Sequence, residues 1–368
     1  MNERGRNVLP MIGFIMILIV LLGGFSLAKN KNARKMLDQN HSTSTNTNRT
    51  DKPFEGIINK SGILSGYTVD ESGELSTEGI NKITIASVSS ELNIYRSDSN
   101  KISAKYYGDV QSSNKDSAPY LEVIKEGNEA IVRIKYPTWH NVSFSEKTKL
   151  DVTIPDNWGE DLDIKNTSGS ISANELKGDD ISIVTISGSI SIDKLMGKNI
   201  EIKSTSGAIA VDQVIASAKF TGSTISGKYA VNVIESREVD LNSTSGVIDV
   251  SDAQCDDFDA RSISGDIDIT LKKGNADIET TSGRIKIKFL DGFDTIKAKS
   301  ISGKVLVSVP ENSQFDVDIR TISGSIKCSD FSMKVNSSKS NELKGTVGSG
   351  GSQIDVNSAS GNVEIIKN

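Results

Sequence analysis

Histidine, cysteine and aromatic residues are scarce in this chain of 368 residues, and each scarcity removes a class of function. Histidine occurs only as His41 and His140, so none lies between residue 141 and the C-terminus. Neither has a partner at metal-ligand spacing, and both read as solvated side chains. The two cysteines, Cys255 and Cys328, fall in different repeats and cannot build a disulfide framework, so they read as buried or half-buried free thiols. Aromatics make up 5% and apolar residues 36%, which is low for a doubly wound enzyme. The net charge is −6, and a nucleic-acid partner would call for a basic face. No cofactor, metal or small-molecule substrate is implied.

What the chain has instead is glycine, 31 in all, much of it in one recurring signal. Ser-Gly, preceded by Thr or Ile in every copy but the last, appears at Ser168-Gly169, Ser187-Gly188, Ser206-Gly207, Ser226-Gly227, Ser245-Gly246, Ser264-Gly265, Ser282-Gly283, Ser302-Gly303, Ser323-Gly324 and Ser360-Gly361. The glycines are spaced by 19, 19, 20, 19, 19, 18, 20, 21 and 37 residues, the last close to two units. A fixed period of this size signals a stacked repeat architecture.

With each motif glycine as position zero, −7 and −5 are mostly apolar (Ile181/Ile183, Ile200/Ile202, Val239/Leu241), as are +2 and +4 (Ile190/Ile192, Ile209/Val211, Ile267/Ile269). Alternation at period two puts each set on one face of a strand. Glycine at zero supplies a bend between them, so a unit is strand, corner, strand. By parity the serine at −1 and the Ser, Thr or Asn at −3 face inward with the aliphatics. A buried hydroxyl needs a hydrogen bond, which a ladder of serines against the corner backbone of the neighbouring coil would supply. Ten such serines without a nearby His or Lys base are structural rather than nucleophilic. The architecture expected is an all-β parallel β-helix (β-solenoid) of about 20-residue coils stacked at about 4.8 Å.

The residue at −2 alternates for eight units: Thr167, Ile186, Thr205, Ile225, Thr244, Ile263, Thr281, Ile301; Ile322 then breaks the pattern. A coil of about 39 residues would stack like on like, and one of about 20 would stack Thr on Ile; the narrower coil is expected. The outward row Ile186, Ile225, Ile263, Ile301 and Ile322 is either an exposed docking row or is covered by residues 53–160.

Ahead of the repeats, residues 8–28 are almost wholly apolar and would span roughly 31 Å as a helix, enough to cross a membrane. Residues 1–28 thus read as one N-terminal transmembrane anchor. Ser26-Leu27-Ala28 has the form of a signal-peptidase site, the alternative reading. Lys29, Lys31, Arg34 and Lys35 after the span outnumber Arg4 and Arg6 before it, which alone favours a cytoplasmic C-terminal side. The leader-like site and the stretch after it favour export, and an extracytoplasmic domain is the expectation. Residues 29–52 are a polar, disordered tether. Residues 53–160 are an irregular β region, forming first coils or a cap. Residues 161–368 carry the repeats, with a Gly-rich insertion at 329–351.

Leu150-Asp151-Val152-Thr153-Ile154-Pro155, the repeated xSGxIxI segments, and the closing Ser360-Gly361-Asn362-Val363-Glu364-Ile365 resemble the bacterial putative-adhesin family of β-strand-repeat domains of unknown function, over about residues 80–368. The resemblance implies a right-handed single-stranded β-helix, often membrane-anchored, in the cell envelope, with some members in envelope-stress operons. It brings no catalytic residues.

The function expected is therefore a non-enzymatic envelope binding module, anchored through residues 8–28, with cell-wall polymer or another envelope protein as partner. A self-assembling scaffold like the bactofilins is the alternative, opposed by the irregular segments at both ends. A carbohydrate-active β-helix enzyme is the other. Asp179-Asp180, Asp256-Asp257 and Arg284-Ile285-Lys286 resemble fragments of polygalacturonase motifs, but the histidine such a site needs is missing.

Overall fold

Each repeat folds as two strands meeting at its Ser-Gly corner, and the repeats stack through parallel hydrogen bonding. The computed structural model describes residues 65–112, 118–136, 144–328 and 330–368, with short strands at Thr45–Thr47, Ile58–Asn59 and Gly62–Ile63. All belong to one compact unit, Ser44–Asn368. The segment 8–28, His41, His140 and, apart from Thr45–Thr47, the tether 29–52 lie outside the described residues. Among the described residues no helix is long and apolar enough to cross a membrane.

On the face before the corner, one ladder runs Ile83, Leu162, Ile181, Ile200, Phe220, Val239, Phe258, Ala276, Ile296, Ile354, Val317, each paired in parallel with the next. On the face after it, Leu92, Ile171, Ile190, Ile209, Tyr229, Ile248, Ile267, Ile285, Val305, Val363 and Ile326 form a second ladder. Leu162 meets Ile181 and Ile181 meets Ile200, a step of 19 residues, so the coil is the narrow one. Nearly every rung is fully buried, and each such aliphatic side chain contributes about 1.5–3 kcal/mol gross. The bulkiest rung, Tyr229, fits because Gly222 faces it. A Cβ on Gly222 would lie 2.3 Å from the Tyr229 hydroxyl.

The order of coils in space departs from the order in the chain at both ends. After Thr295–Ser300 and Val305–Val309, the next coil in the stack is the C-terminal one, Ser352–Ser358 and Val363–Lys367. The earlier segment Phe315–Thr321 lies beyond it, followed outward by the hairpin strands Glu342–Val347 and Met333–Lys339. The last strand pair is thus wedged between two coils that precede it in the chain. At the other end, Phe144–Pro155 inserts between Glu91–Ser97, to which it is parallel, and Lys101–Ser112, to which it is antiparallel. A hairpin of Tyr120–Glu126 and Glu129–Lys135, turning at Gly127 with φ 61°, closes the other face against Lys82–Ala86.

Aromatic side chains seal the C-terminal end. Phe289, Phe293, Phe315 and Phe331 form a chain of ring contacts at 5.5, 6.0 and 5.2 Å. The hairpin strand Met333–Lys339 carries a register shift between Val335 and Ser337 and lysines at 334 and 339, features that discourage further strand addition.

Candidate functional site on the corners and outward faces

The corner is built from four residues with distinct tasks. The −3 side chain is buried and ties the turn together. Thr185 accepts from the Gly188 amide at 3.1 Å, Thr224 from Gly227 at 3.1 Å, and Ser204 donates to the Gly207 carbonyl at 2.8 Å. Asn166 instead reaches the next corner, donating to the Ser90 carbonyl at 2.9 Å.

The −1 serines do not face inward as parity suggests. Ser168, Ser187, Ser206, Ser226, Ser245, Ser264, Ser282, Ser302, Ser323 and Ser360 are all exposed. Parity changes one step earlier than expected: −2 and −1 both point outward, and the glycine itself points in. Several serine hydroxyls still bond a neighbouring coil from outside, as Ser206 does to the Ile186 carbonyl at 3.2 Å and Ser360 to that of Ile301 at 3.2 Å.

The reason for glycine is also different from a special dihedral, since no corner glycine has positive φ. It is close approach. A Cβ on Gly188 would lie 1.9 Å from the Gly169 carbonyl oxygen, and one on Gly246 2.0 Å from that of Gly227. Glycine is required because its neighbour's carbonyl occupies the space a side chain would fill.

A further corner escapes the motif. Leu92 pairs with Ile171, which places Ser87, Val88, Ser89 and Ser90 at −3, −2, −1 and zero. No coil corner precedes Ser90, so its side chain has room, and its hydroxyl lies 2.9 Å from that of Thr148. Glu146 ties this corner to the N-terminal strands, accepting from Tyr106 at 3.0 Å, Tyr136 at 2.6 Å and Thr148 at 3.2 Å, and from Ser89.

The −2 row faces outward along the stack. Ile186 and Ile225 are half-buried, while Ile263, Ile301 and Ile322 are 40%, 57% and 79% exposed. Among the described residues, then, segment 53–160 does not bury the distal half of the row.

Charges on the outer faces pair between coils at the narrow spacing. Arg284 meets Asp266 at 2.9 Å, Lys286 meets Asp268 at 2.9 Å, and Arg261 lies 3.9 Å from Glu279. Hydrogen bonds from Lys304 and Lys327 hold the Glu364 carboxyl down to about 2. On the other face Asp240, Asp259 and Asp277 stack in register. Burial, only partly offset by Arg261, pushes Asp259 above the ordinary carboxylate range, and Asp277 and Asp240 add to it. The fragments that resemble pectin-cleaving motifs do not converge. Arg284 and Lys286 are committed to their ion pairs, and Ile285 is core. Asp179-Asp180 and Asp256-Asp257 stand at exposed coil-to-coil turns four corners apart. Among the described residues no group of three His, Cys, Asp or Glu side chains could hold a metal ion. Both cysteines are buried, and burial pushes the Cys255 thiol up to about 12 and that of Cys328 to about 11.

A family model described as Toastrack DUF4097 matches residues 80–222 and again 213–366. The chain belongs to this family. The Toastrack match begins where the glycine-free first coil begins, so the family pattern includes the corner at Ser90. Among solved structures the Toastrack chain is similar to a putative adhesin of Parabacteroides distasonis ATCC 8503, at 12% identity over 82% of this chain and 97% of that one, with a TM-score of 0.37. A putative adhesin of Parabacteroides merdae ATCC 43184 is 19% identical over 65% of this chain and 91% of that one, with a TM-score of 0.29. A putative cell adhesion protein of Clostridium sporogenes ATCC 15579 is 11% identical over 82% of this chain and all of that one (100%), with a TM-score of 0.19. No curated protein matches the chain.

Proposed function

We propose that this chain is a non-enzymatic, membrane-anchored envelope protein whose extracytoplasmic β-solenoid is an adhesin-like binding module. One observation carries the reading. Coil after coil the inward positions are filled by apolar or small polar side chains, whereas the outward positions at −6, −4, +1 and +3 differ in charge and size from coil to coil. A frame that repeats inside and varies outside suits display of a surface better than assembly of one reaction centre. The apolar segment 8–28 supports the anchor. Right-handed winding is part of the same proposal, since crossovers between parallel strands are overwhelmingly of that hand. Absence of histidine beyond residue 140 and the scattered acidic pairs support a non-catalytic role.

Two experiments on the full chain test this. Protease accessibility of a tagged chain on intact cells is expected to expose the solenoid, and a protected solenoid overturns the extracytoplasmic placement. Purified wall sacculi incubated with detergent-solubilised full chain are expected to retain it. Release of reducing ends or unsaturated sugars would replace the binding reading with an enzymatic one, and concentration-dependent filaments in electron micrographs would replace it with a scaffold.

A further inference from the structure

We infer that the outer face formed by Glu91–Ser97, Phe144–Pro155 and Lys101–Ser112 binds a neutral polysaccharide strand, with Tyr95 as the stacking platform and Asn93, Asp151 and Tyr107 as the hydrogen-bonding groups beside it. This rests on the binding-module reading above and gives it a site and a ligand class.

Exposed aromatic surface is rare here. Tyr95, at 49%, is the only aromatic among the large apolar side chains exposed in the described residues. It lies on the same outer face as Asn93, and Asp151 pairs directly opposite Asn93. Asp151 is held from both sides: one oxygen accepts from Asn93 Nδ2 at 2.9 Å, the other from the Tyr107 hydroxyl at 3.0 Å. A carboxylate fixed by two donors, and still only half-buried, keeps outward lone pairs aimed in set directions. The amide oxygen of Asn93 and the ring of Tyr107 complete a group of rings and preoriented polar atoms, the composition that takes up hydroxylated rings.

The charges on this face argue for a neutral ligand. Lys149 pairs with Glu91 at 3.2 Å, Lys105 with Asp70 at 3.2 Å, and Lys101 with Glu74 at 3.0 Å. Lys147 on the same face stands opposite Asp109, so among the described residues here cations do not outnumber carboxylates and hold no surplus for a phosphate or uronate polymer. Along the stack from Asn93 the floor is small and smooth, through Ser172, Ser191, Ala210 and Ala230 in register. Beside it, two residues further along each strand, stand Tyr95 and the exposed Asn174, Asp193, Asp212 and Asn232, with Asn232 bonded to Asp212 at 2.7 Å. Coils rise by about 4.8 Å, so this edge offers one polar side chain for about each pyranose unit of an extended chain.

The test is titration of detergent-solubilised full chain with cellohexaose and with chitohexaose, neutral probes without and with acetamido groups, and with poly(glycerol phosphate) as the anionic comparison. Binding of either hexasaccharide in preference to the anionic polymer is expected, with Tyr95→Ala weakening it about tenfold or more. Tyr95→Trp is expected to retain it, and Asp151→Ala to weaken it similarly. Thermal melting of Tyr95→Ala should match the unaltered chain, since the ring is half exposed. Preference for the anionic polymer, or hexasaccharide binding indifferent to Tyr95→Ala and Asp151→Ala, overturns the inference. If sacculi retain both variants as well as the unaltered chain, the binding-module reading stands and this site falls. If sacculi retain none, the parent reading fails with it.

Discussion

Adding one methyl group at a mid-stack corner should unlatch the solenoid there. A Cβ on Gly246 would lie 2.0 Å from the Gly227 carbonyl oxygen, against the 3.4 Å at which ordinary contact begins. The corners must separate by the 1.4 Å shortfall, in a stack whose spacing is about 4.8 Å. That opening breaks two bonds between these corners, Thr244 N to Thr224 O at 3.2 Å and Ser245 N to Ile225 O at 2.7 Å. Each is worth about 0.5–1.5 kcal/mol net. Strain from forcing volume into a packed site adds about 1–3 kcal/mol. Gly246→Ala should therefore destabilise by about 2–6 kcal/mol, lowering the melting temperature by roughly 4 °C or more. Ser90→Gly is the control, because no coil precedes that corner, and it forfeits the hydroxyl's contacts with Thr148 and Tyr136 without forcing the corners apart. Circular dichroism melts of both variants, with hydrogen exchange across residues 225–265, read the effect and its place. Melting of Gly246→Ala within about a degree of the unaltered chain would refute the close-approach account of these glycines.

Thr224→Val orphans the buried Gly227 amide and should cost about 1–3 kcal/mol in denaturant unfolding, whereas Ser226→Ala, at the exposed −1 position, should cost under about 0.5 kcal/mol. Deleting residues 352–368 removes the coil between the Gly303 and Gly324 corners, so limited proteolysis should cut between 310 and 351 while 161–309 stays protected. Cys255, its thiol pushed up to about 12 by burial and then by Asp256 and Asp257, should resist iodoacetamide at pH 8 until denaturant is added. Glu364, held down to about 2 by Lys304 and then Lys327, contributes stability that is present above the ordinary carboxylate range and lost as pH falls toward 2. An NMR titration should find its midpoint displaced upward by Lys304→Ala.

The ladders were legible because their signal is the simplest one a sequence can carry. Ile181, Ile183, Ile190 and Ile192 alternate with polar residues, and all four are core. The direction of the serines was not legible, because alternation predicts sides only while the backbone stays extended. At the corner two successive residues, such as Ile186 and Ser187, turn outward together, and no residue type announces that. The corner at Ser90 is marked in the sequence only by its flanks, Ile83, Ile85, Ser87, Ser89, Leu92 and Ile94: glycine marks a corner only where another corner lies behind it, and the first coil has none. The outer face around Tyr95 draws on strands 91–97, 101–112 and 144–155. Its residues are brought together by an insertion that no periodicity encodes.

Chain order and stack order also account for the one irregularity in the −2 row. In the chain, Ile301 is followed by Ile322, and the alternation of large and small side chains fails. In space the corner after Gly303 is Gly361, since a Cβ on Gly361 would meet the Gly303 carbonyl at 1.8 Å, and one on Gly324 that of Gly361 at 2.0 Å. The residue at −2 of the inserted coil is Ala359. Read along the stack, the row is Val88, Thr167, Ile186, Thr205, Ile225, Thr244, Ile263, Thr281, Ile301, Ala359, Ile322, without a break. The alternation therefore follows contact between neighbouring coils rather than a double-width repeat in the chain. A Thr or Ala thus separates the aliphatic side chains on successive outward corners about 4.8 Å apart, so they do not merge into one continuous apolar strip. Replacing Ala359 with Ile would join the exposed Ile301 and Ile322 into one apolar strip. The wedged C-terminal coil thus keeps the alternation of the place it occupies, although twenty-seven or more residues separate its first strand in the chain from either neighbour's corner.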